Sequence, residues 1–284
     1  MNFVLKTWNC FGAAQDARAF MRWRGIPDAH RLEHPHVLST VGAADVLCLQ
    51  EVFLSEAESF FDALEHEHKT RDHNGNTYWP LTFGGSGLAL ASRFRIVAQC
   101  TRTFRGPTAG AERFARKGML HARLSIAEGI EVDVLTTHLQ SGYSPKARTI
   151  RAAQLRELRA LVDEVGSPER TFIVCGDLNI DGLTPVREGE YLALRDVLSD
   201  FTDLGADEDH VTFHPHHEIN ALAHRFENGS PPQRIDYVLF RPSRSGEIES
   251  AGCDLVLRDP LEAETGITFA SDHFGLRVTF RIRD

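Results

Sequence analysis

The sequence predicts an α/β protein of many short strands with helices between them. Three observations predict this. Apolar runs of strand length recur, as in residues 44–51 (ADVLCLQE) and 171–181 (TFIVCGDLNID), and each is too short for a helix. Residues 146–165 instead space Ile150, Leu155, Leu158, Leu161, Val162 and Val165 at helical intervals. The strand-like runs also end repeatedly in Asn, Glu, Asp or His. A single Asp–Asn end could be an ordinary turn, since both residues favour turns, but the recurrence of Glu and His beside them at strand ends points to side chains delivered to a site.

In chain order, residues 3–10 read as a strand ending on Asn9. Residues 12–31 start helical until Pro27 breaks the helix. Residues 34–41 lead into the run 44–51, closed by Gln50 and Glu51. Residues 55–68 read as a helix, with Ser55 able to cap it and Phe60, Phe61 and Leu64 as its apolar stripe. Residues 69–79 read as a loop. GLALASRFRI, residues 87–96, reads as one strand of small alternating residues. Residues 101–116, with Gly106, Pro107 and Gly110, form a long irregular segment of the kind that borders substrate.

Residues 118–126 and 131–137 form a hairpin turning near residues 128–129, and its second strand ends in His138. The helix of residues 146–165 stops at Gly166 and Pro168. The run 171–181 follows. Its Gly176 allows a turn or a close approach, and Asp177 and Asn179 sit two apart, on one face of a strand. Residues 191–203 read as a helix and residues 210–228 as a polar, histidine-rich loop. Residues 234–240 (RIDYVLF) read as a strand with Asp236 near its start, and residues 254–258 as a short strand. Residues 271–283 close the chain with alternating apolar positions and open on Asp272 and His273. No repeat, low-complexity tract or linker divides the chain, so residues 1–284 read as one domain.

The composition, 42% hydrophobic and 25% charged, is that of a soluble globular protein with a large core. The five cysteines have no paired spacing and read as reduced core residues. The opening residues MNFVLKTWNCFG lack a basic region followed by a long apolar one, so no secretory signal is expected in them, a removed one leaving no trace. No apolar stretch approaches the roughly 20 residues that span a bilayer. The expectation is a cytoplasmic monomer without a transmembrane anchor. The net charge of −9 lies wholly in the second half, since residues 1–142 balance 15 basic against 15 acidic residues. That balance disfavours a grip on long nucleic acid, which calls for a basic excess. Residues 93–123 form a local basic stretch with Glu112 as the only acid, read mainly as a solvated loop. Lys117 within it is a candidate substrate contact or a solvent-facing lysine. His210, His214, His216 and His217 fit no common zinc spacing and read as surface.

Asn9, Glu51, His138, Asp177, Asn179, Asp236, Asp272 and His273 therefore form the candidate constellation. Carboxylate and amide oxygens suit hard Mg²⁺ or Mn²⁺ better than zinc. A histidine with a carboxylate suits a general base held in one tautomer.

The strings WNC, LQEVF, GLALASRF, KGML, THL, GDLN, RIDYVLF and SDHFGL occur in an order that resembles the endonuclease–exonuclease–phosphatase (DNase-I-like) superfamily. The match runs from about Asn9 to Phe280. The resemblance implies a four-layer α/β/β/α sandwich: two mixed sheets face to face with helices outside. It implies a Mg²⁺-dependent phosphodiesterase, with Mn²⁺ as a substitute. Glu51 is then the main metal ligand, with Asn9 and Asp272 beside it. His273 is the base that activates water, and Asp236 orients it. His138 and Asn179 hold the scissile phosphate, and Asp177 positions or protonates the nucleophile or leaving group.

Within the superfamily, GSGLALASR, Lys117–Gly118 and THLQSGY look most similar to the neutral sphingomyelinase branch. Gln140, Ser141 and Gly142 depart from that branch's histidine, alanine and acid. No hairpin with paired exposed aromatics is evident, leaving Trp79, Phe104 and Phe114 as single candidates. The implied substrate is sphingomyelin or a related phospholipid or small phosphodiester. The alternatives are a Mg²⁺-dependent nuclease acting on DNA or RNA and a non-catalytic binding module of the same fold.

Overall fold

The computed structural model describes the chain except for residues 13–28, 54, 73–75, 79–80, 84, 107, 110–111, 113–115, 184–187, 207–209, 228, 264–265 and 284. The expected helix start after Gly12, and the candidates Trp79 and Phe114, lie outside the described residues.

The first half runs β1 (Asn2–Gly12), α1 (Pro35–Gly42), β2 (Val46–Val52), α2 (Ser55–Ala63), β3 (His68–Arg71), β4 (Asn76–Tyr78), β5 (Leu81–Phe83), β6 (Ala89–Ser92), β7 (Arg95–Thr103), β8 (Gly118–Ala127) and β9 (Ile130–His138). The second half runs α3 (Pro145–Val165), β10 (Thr171–Asp177), α4 (Glu188–Val197), β11 (Thr202–Asp203), α5 (Ala221–Phe226), β12 (Asp236–Arg241), β13 (Ile248–Val256), β14 (Leu261–Ala263), β15 (Gly266–Thr268) and β16 (Gly275–Ile282). Two six-stranded mixed sheets result, ordered β13-β16-β1-β2-β6-β3 and β11-β12-β10-β9-β8-β7. Each has one parallel pair at its centre, β1 with β2 and β9 with β10.

Strand periodicity builds the layers. In β1, Phe3 and Leu5 point into the core between the sheets, while Trp8 and Cys10 point to an outer core under α1 and α2. In β10, Ile173 and Cys175 point inward, while Phe172 and Val174 meet Leu155, Leu158 and Leu161 of α3. The result is helix, sheet, sheet, helix, as the resemblance implied. Phe280 lies at the middle of the inner layer, stacked on Phe3 at 5.0 Å and 5.5 Å from Phe240. Phe280→Ala should cost about 3–5 kcal/mol, read as a lower denaturant midpoint. An unchanged midpoint would show that this contact does not hold the sheets together.

Several expectations need correction. GLALASRFRI is two strands in different sheets, β6 and β7. The chain crosses between layers at residues 93–94, where Ser92 Oγ accepts the Phe94 N–H at 2.9 Å. The loop expected at residues 69–79 contains most of β3 and all of β4. The helix expected over residues 191–203 ends at Val197, because Asp203 is drawn to the sheet edge, where it accepts from Arg234 and Tyr191 at 2.8 and 2.9 Å. The polar region 210–228 contains the short helix α5, capped by Asn220. The short strand expected at 254–258 is longer and earlier, at Ile248–Val256. No described helix is long and apolar enough to cross a membrane.

Candidate active site

The same periodicity that builds the inner core also aims the site. Inward positions of β1, β9, β10 and β12 continue, at one end of the sandwich, into Asn9, His138, Asp177 and Asp236. Register then brings them side by side: Asp177 pairs with His138 on one flank and Asp236 on the other, and Asn9 pairs with Gln50. Gly176 permits this closeness. At its φ of 128°, a Cβ would lie 2.1 Å from the Thr137 carbonyl oxygen.

Glu51 reaches the site differently. Alternation would send it outward with Leu47 and Leu49. Its φ of 62° leaves the extended region instead, as does that of Asn179 at 51°. Non-glycine residues seldom adopt this conformation, and it gathers at functional sites.

The contacts are short and mostly buried. Asn9 Nδ2 donates to Glu51 Oε1 and to Asp177 Oδ2, both at 3.1 Å, and its side-chain Oδ1 accepts from the Phe11 N–H. His138 Nε2 lies 3.2 Å from Asp177 Oδ2, and its Nδ1 lies 4.0 Å from Glu51 Oε1. His273 Nδ1 donates to Asp236 Oδ2 at 2.8 Å, while its Nε2 is 3.7 Å from Asp177 Oδ2. Asn179 anchors the end of the strand: its N–H donates to Asp177 Oδ1 at 2.9 Å and its Nδ2 to the Leu139 carbonyl at 3.1 Å. Asp272 enters through Ser271, whose Oγ touches Asp272 Oδ1 at 3.1 Å and the Asn9 carbonyl at 2.7 Å. All eight candidate residues thus converge on one end of the sandwich.

The electrostatics follow from this crowding. Burial pushes Asp177 up, yet the charges of His138 and His273 outweigh it and hold the carboxyl well below the usual range. Burial pushes Asp236 up, and the histidine only partly offsets it. Burial, with the negative charge of Glu51, raises Asp272 to about 6 against the opposing pull of His273. Burial lowers His273, but the carboxylates of Asp236 and Asp177 outweigh it and raise the imidazole well above its ordinary value.

A divalent cation fits this donor set. Glu51 and Asp272 are neighbouring hard-oxygen donors whose mutual repulsion a cation would relieve. One donor atom each from Asp177, Asp236 and His273 also lie within 4.8 Å of one another. In that trio the histidine is already hydrogen-bonded to Asp236 and faces Asp177 at 3.7 Å, so Glu51 and Asp272 are the better fit. Asn9 presents its amide N–H₂ to Glu51 and bridges it to Asp177, a supporting position more than a ligating one.

Lys117 is neither exposed nor directed at open space. It is buried, 2.7 Å from Glu112 and 3.0 Å from the Leu139 carbonyl, and its positive charge also lowers Asp177. His210 is buried against the Cys253 carbonyl, while His214, His216 and His217 stay outside the site.

Sequence reading missed four supporting residues. Thr212 Oγ1 accepts the Asp236 N–H at 3.1 Å, and the Phe213 ring lies 5.2 Å from that of His273. Asn220 donates to the carbonyls of Ser271 and Asp272. Arg31, buried, donates to the Cys10 and Ala270 carbonyls, tying the ends of β1 and the Ser271 loop together. None of these sits at the end of an apolar run, so no local signal singles it out.

Known proteins agree with this architecture. Sphingomyelinase C 2 of Leptospira interrogans serogroup Icterohaemorrhagiae serovar Lai is 26% identical over 175 residues. The match takes in 56% of this chain and 28% of that protein, so the chain spans well under a third of its relative's length. Among solved structures, a mutant beta toxin from Staphylococcus aureus with bound magnesium ions superposes with a TM-score of 0.75. It is 18% identical and covers 98% of this chain and 99% of its own. D. rerio TDP2 complexed with a single-strand DNA product superposes with a TM-score of 0.68, also at 18% identity, covering 99% of each chain. At that identity the two structures establish the fold. The sequence profile of the Endonuclease/Exonuclease/phosphatase family matches residues 7–273, nearly the whole length, and this chain belongs to that family.

Proposed function

We propose that this protein is a single-domain, Mg²⁺-dependent phosphodiesterase that hydrolyses sphingomyelin or a related phospholipid or small phosphodiester. The family and its relatives point to phosphodiester hydrolysis. The observation that carries the finer reading is the continuous network Asp236–His273–Asp177–His138, with Glu51 and Asp272 beside it.

In this reading Glu51 and Asp272 hold the cation and Asn9 keeps Glu51 in place. Bound magnesium supplies positive charge that neutralises the phosphate and, by the same Coulombic effect, favours the neutral form of His273. Asp236 accepts the Nδ1 proton of His273, which leaves Nε2 to take a proton from the attacking water. Asp177, at 3.7 Å from that nitrogen, orients the water or returns a proton to the leaving group. His138 and Asn179 bind the non-bridging oxygens and stabilise the charge that builds in the transition state. Lys117 acts from behind the site, through its charge on Asp177 and its hold on Leu139.

The sphingomyelinase relative favours a phosphocholine-type diester. The nuclease reading rests on the TDP2 structure with DNA and on the basic stretch of residues 93–123. Four of that stretch's cations already have internal carboxylate partners: Arg93 with Asp45, Arg102 with Glu164, Lys117 with Glu112 and Arg123 with Asp133. Cations neutralised in this way contribute little to the phosphate contacts that drive nucleic-acid binding. Strands β14 (LEA) and β15 (GIT), paired just before Ser271, hold no aromatic residue among their described positions. Substrate dispersed in micelles, or a small head-group diester, suits such a surface better than a packed bilayer.

The test measures phosphocholine release from sphingomyelin in mixed micelles alongside nicking of supercoiled plasmid, with wild type and Glu51→Gln. Phosphocholine release lost in the variant supports the reading. Plasmid nicking lost in the variant, with no phosphocholine release by wild type, moves the protein to the nuclease class.

A further inference from the structure

We propose that Cys100, His121 and Asp133 form a second reactive centre, in which Cys100 is an activated thiol that takes soft electrophiles, hydrogen peroxide among them. The three residues occupy adjacent strands at one edge of the second sheet. Cys100 on β7 pairs directly with His121 on β8, and Asp133 on β9 lies one diagonal step away, opposite Arg123. Cys100 Sγ lies 3.9 Å from His121 Nδ1, and His121 Nε2 lies 2.9 Å from Asp133 Oδ1. His138 is five residues further along β9, about 17 Å at the usual rise of a strand. The centre is therefore separate from the phosphodiesterase site.

The chemistry follows from which nitrogen carries the proton. Asp133 accepts from Nε2–H, so the neutral imidazole presents a bare Nδ1 to the sulfur. The thiol proton can pass to that nitrogen, giving a thiolate beside an imidazolium. Asp133, Arg123, Arg170 and Arg102 are the nearby charges that bear on the pair, with Glu131 and Glu164 set against the arginines. Arg123 and Arg170 also bind Asp133, at 2.9 and 2.8 Å, and hold it ionised. Arg102, two residues from Cys100 on the same strand, adds a positive charge that Glu164 of α3 partly offsets at 2.7 Å. Phe172 stacks on His121 at 6.0 Å and fixes the ring plane. Burial alone would lower His121, but Asp133 and the sulfur outweigh it and raise it.

Access completes the case. Cys10, Cys48, Cys175 and Cys253 are buried, whereas Cys100 is half-buried. A thiolate attacks one oxygen of hydrogen peroxide as the O–O bond breaks. The sulfur is oxidised to a sulfenic acid, and the departing hydroxide takes the imidazolium proton and leaves as water.

The test is the rate of iodoacetamide labelling at each cysteine at pH 6.5, read by peptide mass spectrometry on the full chain, folded and in urea. An ordinary thiol of pKa about 8.5 is only about 1% thiolate there. Cys100 should react at least about tenfold faster folded than unfolded. His121→Phe should bring it down to the unfolded rate, and peroxide with a dimedone trap should mark Cys100 first. A folded rate at or below the unfolded one overturns the proposal. If His121→Phe does not fold, the pH–rate profile of the wild type decides. A midpoint below about 7 supports an imidazolium-paired thiolate, and one at about 8.5 removes it.

Discussion

Turnover should fall by about 10²- to 10⁴-fold when His273 is replaced by alanine, the range that a positioned general base contributes. Asp236→Asn should cost a similar amount. An amide can donate to Nδ1 and so favours the wrong tautomer, leaving the proton on the nitrogen that has to receive one. The two changes should not add. Asp236 acts only through the 2.8 Å contact with His273 Nδ1, so once the imidazole is gone the carboxylate has nothing left to orient. The double variant should therefore lie within a few-fold of His273→Ala. Fully additive losses would mean that Asp236 works on some other atom. The measurement is kcat with bis(p-nitrophenyl)phosphate, whose good leaving group keeps the comparison on the base.

Chelation should abolish activity and magnesium should restore it. Lewis-acid stabilisation of a developing phosphorane is worth several kcal/mol, on the order of 10²- to 10³-fold in rate. Glu51→Gln keeps the shape and removes the charge, so it should lose a comparable amount. A second readout does not depend on turnover. Asp272 is raised to about 6 partly because the Glu51 carboxylate stands next to it. A cation relieving that repulsion should stabilise the folded chain, by about 2.7 kcal/mol at a hundred times its dissociation constant. Wild type should show a Tm that climbs with magnesium, and Glu51→Gln should not. Full turnover in chelator, or an equal magnesium response in both proteins, would remove Glu51 from a metal site.

Much of the site was legible in the chain because strands repeat every two residues. Asn9, His138, Asp177 and Asp236 stand at the same parity as the apolar residues of their own strands, so the pattern that packs the inner core also aims them. Glu51 was legible only through its neighbours, since its own parity points outward and a backbone conformation seen at φ 62° corrects it. Boundaries were less legible. Ser92 and Asp203 each end an element through side-chain hydrogen bonds, one to a nearby backbone N–H and the other to the distant Arg234.

Local sequence determined the α/β class, the helix at residues 146–165, and the list of polar residues at strand ends. It also pointed to oxygen donors and a histidine–carboxylate pair as the chemistry. Only the folded chain decided how those residues meet. Asp177 stands between His138 and Asp236 because β9 and β12 flank β10 in register, Asp236 in turn holds His273 from the segment before β16, and no local pattern specifies which strands become neighbours. Lys117 became an internal charge for the same reason: Glu112 and Leu139 close over it. Thr212, Asn220 and Arg31 hold the site from segments with no strand-end signal. Periodicity reports which face a side chain takes. Partners come from contacts between residues tens to hundreds of positions apart, and those exist only once burial of both sheets has brought them together.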